Sequence, residues 1–194
     1  MEAPPQQEIQ VQALKDWPEA LQQQVADLHY DGFGGKRCCL CFGDSKLELR
    51  SSLSTFLKRG DESKMEVLGL ALADGEAVGF AQLGFHDMVG DFMMPVCFRS
   101  RPEDGSCHLE RIVVSEKMRG RGVGRELLKW VDEKAKERGC KKLKLEVVSN
   151  NPAKRLYERQ GYVSVTKPWQ KVCMCPCVFC LMGHLYFDSM WKDL

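Results

Sequence analysis

Arg119-Gly120-Arg121-Gly122-Val123-Gly124 is the stretch that decides the fold, because it joins a strand pattern to a helix pattern. An apolar run centred on Ile112-Val113-Val114 precedes it, and apolar residues at helical spacing follow it, namely Val123, Leu127, Leu128, Val131 and Ala135. Glycines let a backbone approach an anion closely, and the first N–H groups of a helix have no internal partner. The turn therefore predicts a pyrophosphate site at a strand-to-helix junction.

Three arginines, Arg119, Arg121 and Arg125, add positive charge to this turn. A dinucleotide fingerprint needs G-x-G-x-x-G, but the spacing is G-x-G-x-G, with Arg125 where the third glycine belongs. A P-loop needs Gly-Lys-Ser/Thr, and that ending is missing from the turn. An acyl-CoA pyrophosphate fits the spacing better, while a nucleotide-binding protein that uses the same turn stays open as an alternative.

The segments around the turn predict an α/β fold with a mixed sheet. Asp74-Gly75 between two apolar runs (65–73 and 76–85) predicts a tight antiparallel hairpin, and 107–115 predicts the next strand. Leu143, Leu145 and Val147 alternate with charged residues, so strand, helix and strand follow one another with a parallel crossover.

Shorter elements are predicted on both sides of this unit. Asn151 caps a helix that begins at Pro152 and ends at Gly161. Near the start, we predict a disordered tail (1–8), a strand (9–13), a helix with an Asp16–Glu19 capping box and a second helix around 49–57. The end of the chain (162–194) is predicted to form two strands with a Cys-rich link.

Two motifs carry a resemblance to a known family. Arg119, Gly122 and Gly124 match R/Q-x-x-G-x-G/A, and Asn150 to Tyr157 followed by Gly161-Tyr162 matches N-x-x-A-x-x-L-Y-x-x-x-G-F/Y. The chain resembles the GNAT acetyltransferase superfamily over residues 65–162. The resemblance implies one acyl-CoA N-acyltransferase domain over 9–194, with a central mixed β-sheet flanked by helices and acetyl-CoA as co-substrate.

The resemblance also implies roles for individual residues. Tyr157 meets the leaving sulfur, Glu110 is the candidate base, and a backbone N–H near Val113 or Val114 meets the carbonyl oxygen. Alternation along the strand places Glu110 on one face with Ile112 and Val114. The implied cofactor contacts are Ile112, Val113, Val114, Arg119, Gly120, Arg121, Gly122, Val123, Gly124, Arg125, Asn150 and Tyr157.

A base is needed because a lysine-like amine is neutral only about once in 2,500 molecules at pH 7. His86 and His108 are weaker candidates for it, since neither has a partner signal in the sequence. The predicted activity is acetyl transfer from acetyl-CoA to a primary amine by direct attack. Peptide N-termini, lysine side chains, polyamines and small xenobiotic amines all fit as acceptors. The alternative is an inactive acyl-CoA-binding or protein-interaction module of the same fold.

Composition limits the partners and the location. The formal net charge is +1, which gives no global attraction to nucleic acid or to an anionic membrane, and the longest apolar run (172–187) is short for a bilayer. No secretory signal is visible, so we expect the cytoplasm or the nucleus, while the oligomeric state stays undefined. The spacing C-x-C-x-C-x-x-C of Cys173, Cys175, Cys177 and Cys180 differs from the paired C-x-x-C arrangement of a zinc site, and the same holds for Cys38, Cys39 and Cys41, so we predict buried free thiols and no metal.

Overall fold

A mixed β-sheet with strand order β1-β2-β3-β4-β5-β7-β6 organises the chain. The computed structural model describes residues 8–13, 18–34, 67–87, 102–166 and 187–194. The strands are β1 (Gln10–Ala13), β2 (Leu68–Ala73), β3 (Glu76–Phe85), β4 (Ser106–Val114), β5 (Lys142–Val148), β6 (Val163–Ser164) and β7 (Phe187–Asp193). The helices are α1 (Glu19–His29), α2 (Val123–Glu137) and α3 (Lys154–Arg159), with a π-helical turn at Tyr30–Gly34 and a 3-10 turn at Glu116–Met118.

The pairing directions confirm the predicted mixed sheet. β2 and β3 are antiparallel and joined at Asp74-Gly75, whose φ angles of 52° and 80° suit the tight turn that this pair favours. β4 and β5 are parallel, with α2 between them in sequence. The sheet therefore changes from antiparallel to parallel pairing at β4, the strand that precedes the glycine turn.

Two apolar clusters lie on opposite faces of the sheet. On one face, the α2-side cluster contains Leu127, Leu128 and Val131 of α2, which are fully buried, with Leu83, Leu143 and Leu145 from the strands. On the other face, the α1-side cluster contains Val25 and Ala26 of α1, which pack against Phe80 and Val113, among others. Burial of a large aliphatic side chain contributes about 1.5–3 kcal/mol, so α2 anchors the glycine turn firmly.

Close packing of α2 on β2 depends on Gly69. A Cβ at this position would stand 2.4 Å from Cε3 of Trp130, a residue that is 8% exposed. We expect Gly69→Ala to lower the free energy of unfolding by about 1–3 kcal/mol, since the indole ring must move. Urea unfolding measures this, and the double variant Gly69→Ala/Trp130→Leu should lose less than the two single variants summed. Additive losses would show that the two residues do not compete for space.

Several sequence predictions fall outside the described residues. These are most of the tail (1–7), Asp16 of the capping box, the helix around 49–57, and the Cys-rich link within 167–186. Pro18, at the N-cap of α1, lies one residue before the helix. No helix among the described residues is long and apolar enough to span a membrane.

Candidate active site

A fork between β4 and β5 creates the central gap of the site. The two strands pair only over 106–109 and 142–145. Beyond that point β4 pairs with β3 and β5 pairs with β7, so the strands separate. Within the described residues, the β4 backbone over 112–114 therefore has no strand partner on its β5 side. The N–H and C=O groups of these three residues that point into the fork are available to hydrogen-bond a ligand.

A β-bulge at the fork reorients Glu110. Arg111 pairs with Gln82 and Leu109 pairs with Leu83, which leaves Glu110 as the extra residue in β4. The Glu110 carboxylate lies close to Gly84: a Cβ added to Gly84 would stand 2.2 Å from Glu110 Oε1. The side chains of Leu83 and Phe85 belong to the α2-side cluster, so the Cβ position of Gly84, which lies between them, points to the α1 side. Glu110 is therefore also on the α1 side.

The predicted face of Glu110 was therefore wrong. Ile112 and Val114 pack with the α2-side cluster, whereas Val113 packs with the α1-side cluster. Strict alternation would place Glu110 with Ile112 and Val114, but the bulge shifts the alternation by one residue. Glu110 and the two apolar residues thus lie on opposite sides of the sheet at the fork.

The glycine turn adopts the conformation that an anion site needs. Gly120 and Gly122 have φ angles of 77° and 91°, in the left-handed region, and Gly122 is the N-cap of α2. Among the described residues, the N–H groups of Gly122, Val123 and Gly124 form no backbone hydrogen bond. Those groups and the positive end of the α2 dipole favour a phosphate.

Gly124 serves close packing rather than an unusual φ. A Cβ there would stand 2.9 Å from Leu156 Cδ2 of α3 and 3.7 Å from Val114 Cγ2 of β4. The glycine turn, α3 and the end of β4 therefore meet at this position.

The arginines of the turn remain accessible. The side chains of Arg119 and Arg125 are 63% and 66% exposed, beside Glu116 at 3.8 Å and Glu126 at 3.3 Å. Exposed pairs of this kind contribute about 0–1 kcal/mol, so the arginines are free to reorient toward a phosphate group. Arg121 is also exposed.

Tyr157 is buried on α3. It is 6% exposed, and its ring lies edge-on to Tyr162 with 5.9 Å between ring centroids. Burial raises the pKa of the Tyr157 hydroxyl to about 12, so this hydroxyl stays protonated at neutral pH. A protonated phenol is a hydrogen-bond donor.

The segment before α3 starts at the end of β5, on the other side of the fork. Asn150 is exposed in the turn that follows β5. Asn151 Oδ1 accepts a hydrogen bond from the Ala153 N–H at 2.9 Å, but the prediction that Asn151 caps the helix was wrong, because α3 begins at Lys154 and its N-cap is Ala153. Asn150 thus lies at the same edge of the sheet as the fork.

The buried carboxylate that fixes α3 gives no signal in the sequence. Asp188 of β7 is 1% exposed and accepts hydrogen bonds from Lys154, from Ser164 Oγ at 2.5 Å and from Thr166 Oγ1 at 2.7 Å. Burial alone would raise the pKa of Asp188, but these hydrogen bonds outweigh it and hold the pKa below its usual range. The cluster ties the first turn of α3 to the sheet, three residues before Tyr157.

A second pair that the sequence did not reveal lies at the fork. His108 Nε2 is 3.3 Å from Glu146 Oε2, and the two residues come from β4 and β5. His86, the other histidine considered, is exposed, with Nδ1 3.0 Å from the Pro102 carbonyl oxygen. The described cysteines, Cys107 and Cys140, are free and buried, and the described residues contain no cluster of metal-ligating side chains.

Comparison with known proteins identifies the family. Residues 23–162 match the acetyltransferase (GNAT) family. This span includes β2 to β5, the glycine turn and α3, and thus every candidate catalytic and cofactor-binding residue that the sequence predicted. The chain belongs to the GNAT acetyltransferase family.

Individual relatives agree with this assignment. An aminoalkylphosphonate N-acetyltransferase from Salmonella typhimurium is 30% identical over 94 residues, which cover 48% of this chain and 54% of that protein. The chain thus matches about half the length of this curated relative. A solved ribosomal-protein-alanine N-acetyltransferase from Brucella melitensis has a TM-score of 0.65 at 20% identity, covering 95% of this chain and 99% of that one. A PaiA N-acetyltransferase from Thermoplasma acidophilum in complex with coenzyme A has a TM-score of 0.58 at 13% identity, covering 96% and 99%.

Proposed function

We propose that this protein transfers an acetyl group from acetyl-CoA to a primary amine by direct attack of the amine on the thioester. The proposal rests on one observation: the fork, the glycine turn and α3 lie next to one another around Gly124. If the pyrophosphate of acetyl-CoA binds the N–H groups of Gly122 to Gly124, its pantetheine arm can extend along the unpaired edge of β4.

The cofactor contacts follow from this placement. The backbone of Ile112, Val113 and Val114 lines the β4 side of the fork and offers hydrogen bonds to the arm and to the carbonyl oxygen. Asn150 offers its amide from the end of β5. Arg119, Arg121 and Arg125 supply positive charge around the phosphates, and the coenzyme A complex of a structural relative supports the cofactor class.

The role of Tyr157 is that of a donor to the leaving sulfur. An alkyl thiol has a pKa of about 8.5, whereas the pKa of Tyr157 is about 12. Complete transfer of the phenol proton to the thiolate would be uphill by roughly 5 kcal/mol, at 1.36 kcal/mol per pKa unit. A hydrogen bond that strengthens as charge develops on sulfur avoids that cost.

We expect Tyr157→Phe to lower kcat about 100-fold, since one donor to developing charge is lost. The affinity for acetyl-CoA should change by less than about threefold, because the phenyl ring keeps the apolar contacts of the site. Steady-state kinetics and calorimetric titration of the same preparation measure the two effects. Equal losses in kcat and affinity, or an unchanged kcat when chemistry limits the rate, would remove Tyr157 from the mechanism.

Glu110 is the proposed base. It stands at the mouth of the fork on the α1 side, where an amine approaching the thioester from that side meets it directly or through a water molecule. One relative is named an aminoalkylphosphonate N-acetyltransferase, and this name supports an amine acceptor without choosing between small molecules and proteins.

Calorimetric titration with acetyl-CoA, with ADP and NAD as controls, tests the proposal. Tighter binding of acetyl-CoA than of either control, followed by acetylation in an amine screen read by mass spectrometry, is the expected result. Binding without acetylation would favour an inactive acyl-CoA-binding module. Equal affinity for ADP and acetyl-CoA would favour a nucleotide-binding protein.

A further inference from the structure

β7 holds the short helix α3 at both of its ends. Asp188, Met190 and Lys192 alternate on the face of β7 that packs with the α2-side cluster, to which Met190 belongs. Asp188 accepts a hydrogen bond from Lys154 in the first turn of α3. At the other end, Lys192 Nζ donates to the carbonyl oxygen of Gln160, the C-cap of α3, at 3.2 Å. A helix of six residues is too short to persist unaided, so its orientation depends on these contacts.

Asp132 of α2 orients the Lys192 side chain. Asp132 Oδ2 accepts a hydrogen bond from Lys192 Nζ at 2.5 Å, and the Asp132 and Lys192 side chains are 22% and 11% exposed. The second carboxylate oxygen, Asp132 Oδ1, is buried and has no hydrogen-bond partner among the described residues. Because a largely buried carboxylate is stable only beside a positive charge or donors, the pair restrains the ammonium at the position from which it reaches Gln160. One ammonium thus joins α2, β7 and the end of α3.

The Lys192 ammonium also lies over an aromatic ring next to Tyr157. Its Nζ is 5.1 Å from the centroid of the Tyr162 ring, which is within the range of a cation–π contact. The Tyr162 ring lies edge-on to the Tyr157 ring, with 5.9 Å between the centroids. The Tyr162 N–H also donates to the Tyr157 carbonyl oxygen at 3.1 Å. Lys192 thus reaches both the ring and the backbone of Tyr157 through one intervening residue.

We propose that Lys192, oriented by Asp132, is a positioning residue for Tyr157, because it fixes the end of α3 and the ring against which Tyr157 packs. The inference rests on the proposed function and specifies how its sulfur donor is held in place. A hydrogen bond to a developing charge weakens steeply when its distance and angle change. A displacement of about 1 Å at a reacting group can cost as much as about 100-fold in rate. We therefore expect Lys192 to act on kcat through Tyr157.

Lys192→Met keeps most of the aliphatic side chain and removes the ammonium. We expect this change to lower kcat about tenfold, because Tyr157 loses its alignment with the sulfur. The affinity for acetyl-CoA should change by less than about threefold, since the glycine turn is unaltered. Lys134→Met is the matched control, because it removes the lysine of an exposed pair on the same helix as Asp132, and it should leave kcat and affinity unchanged.

A second variant separates positioning from stability. Lys192→Met leaves the Asp132 carboxylate without its cation, so it also destabilises the fold. Asp132→Asn/Lys192→Met removes both charges together and should unfold in urea closer to wild type. This double variant should nevertheless keep the tenfold loss in kcat. Recovery of kcat together with stability would show that the pair only stabilises the fold, and it would contradict the proposal.

The Tyr157→Phe background tests whether Lys192 acts through the Tyr157 hydroxyl. Once that hydroxyl is gone there is nothing left to position, so Lys192→Met/Tyr157→Phe should have the kcat of Tyr157→Phe to within about twofold. A residue with a separate role in the fold would instead lower kcat by the same factor in both backgrounds. An additive loss, which would place the double variant about tenfold below Tyr157→Phe, would overturn the proposal.

Carbon NMR of the full chain, labelled at Cζ of tyrosine, gives a measurement that needs no turnover. The chain has four tyrosines, and the Tyr157 signal is the one that disappears in Tyr157→Phe. We expect Lys192→Met to move this signal and Lys134→Met to leave it in place. A Tyr157 signal at its wild-type position in Lys192→Met would refute the positioning role, whatever the kinetics. If the signal moves but the protein acetylates no amine, the contact stands and the proposed function falls.

Discussion

Gly122→Glu should abolish acetyl-CoA binding while the protein stays folded. A carboxylate about 6 Å from a phosphate charge repels it by roughly 3 kcal/mol at an effective dielectric constant of 20, which is a loss on the order of 100-fold. The left-handed φ of 91° adds strain of about 1–2 kcal/mol for any side chain, and the strained turn no longer presents its N–H groups correctly. Calorimetric titration with acetyl-CoA should then show no measurable heat of binding.

The chain offers a matched control for this variant at Gly105. Its φ is 72°, a Cβ there meets nothing within 4 Å, and it lies in the turn before β4, at the opposite end of that strand from the fork. Gly105→Glu therefore introduces the same strain and the same charge away from the site. Gly122→Gln separates bulk from charge, and it should retain more affinity than Gly122→Glu. Equal affinity of Gly122→Glu and Gly105→Glu would contradict the assignment of the pyrophosphate site.

The parts of the fold that the sequence predicted are those set by local interactions. The Asp74-Gly75 hairpin and the entry of α2 at Gly122 depend on φ angles that glycine accepts easily, so the residue type alone signals them. The apolar face of α2 follows from a period of 3.6 residues, and its members are buried as expected. These signals lie within a few residues of the structure that they specify.

The parts that the sequence did not predict depend on register between distant strands. The bulge at Glu110 is a property of its pairing with β3, and it reverses the face of the candidate base. Glu146 alternates with lysines along β5, a pattern that is typical of a solvated face, and His108 gains its neighbour from a strand 38 residues further along the chain. Asp188 gives no signal of burial, because its three partners come from α3, β6 and the residues after β6. Such partners become visible only when the sheet is assembled.

Asp188→Ala should lower the free energy of unfolding by about 3 kcal/mol at pH 7. The change takes the buried acceptor away from the hydroxyl donors of Ser164 and Thr166, which lie at the partly exposed edge of the cluster, and it removes one partner of the Lys154 ammonium. Breaking a buried ion pair by removing one partner typically costs 3–5 kcal/mol. We expect a value at the lower end of this energy range, because the Lys154 side chain is 25% exposed and reaches water. Urea unfolding measures the difference.

The effect of Asp188 should depend on pH in a defined direction. Since folding lowers the pKa of this carboxyl, its contribution is fully present above the ordinary carboxyl pKa of about 4 and is lost as the pH falls through the lower folded-state pKa. The stability difference between wild type and Asp188→Ala should therefore be constant from pH 5 to 7 and shrink below about pH 4.

The exposed pair of Lys134 and Glu137 on α2 is the control, since its two charges are 2.6 Å apart but largely solvated. Glu137→Ala should cost less than about 1 kcal/mol at any pH. Equal costs for the two variants would mean that burial does not strengthen the Asp188 cluster. The cluster would then not be what holds the first turn of α3, and with it Tyr157, against the fork.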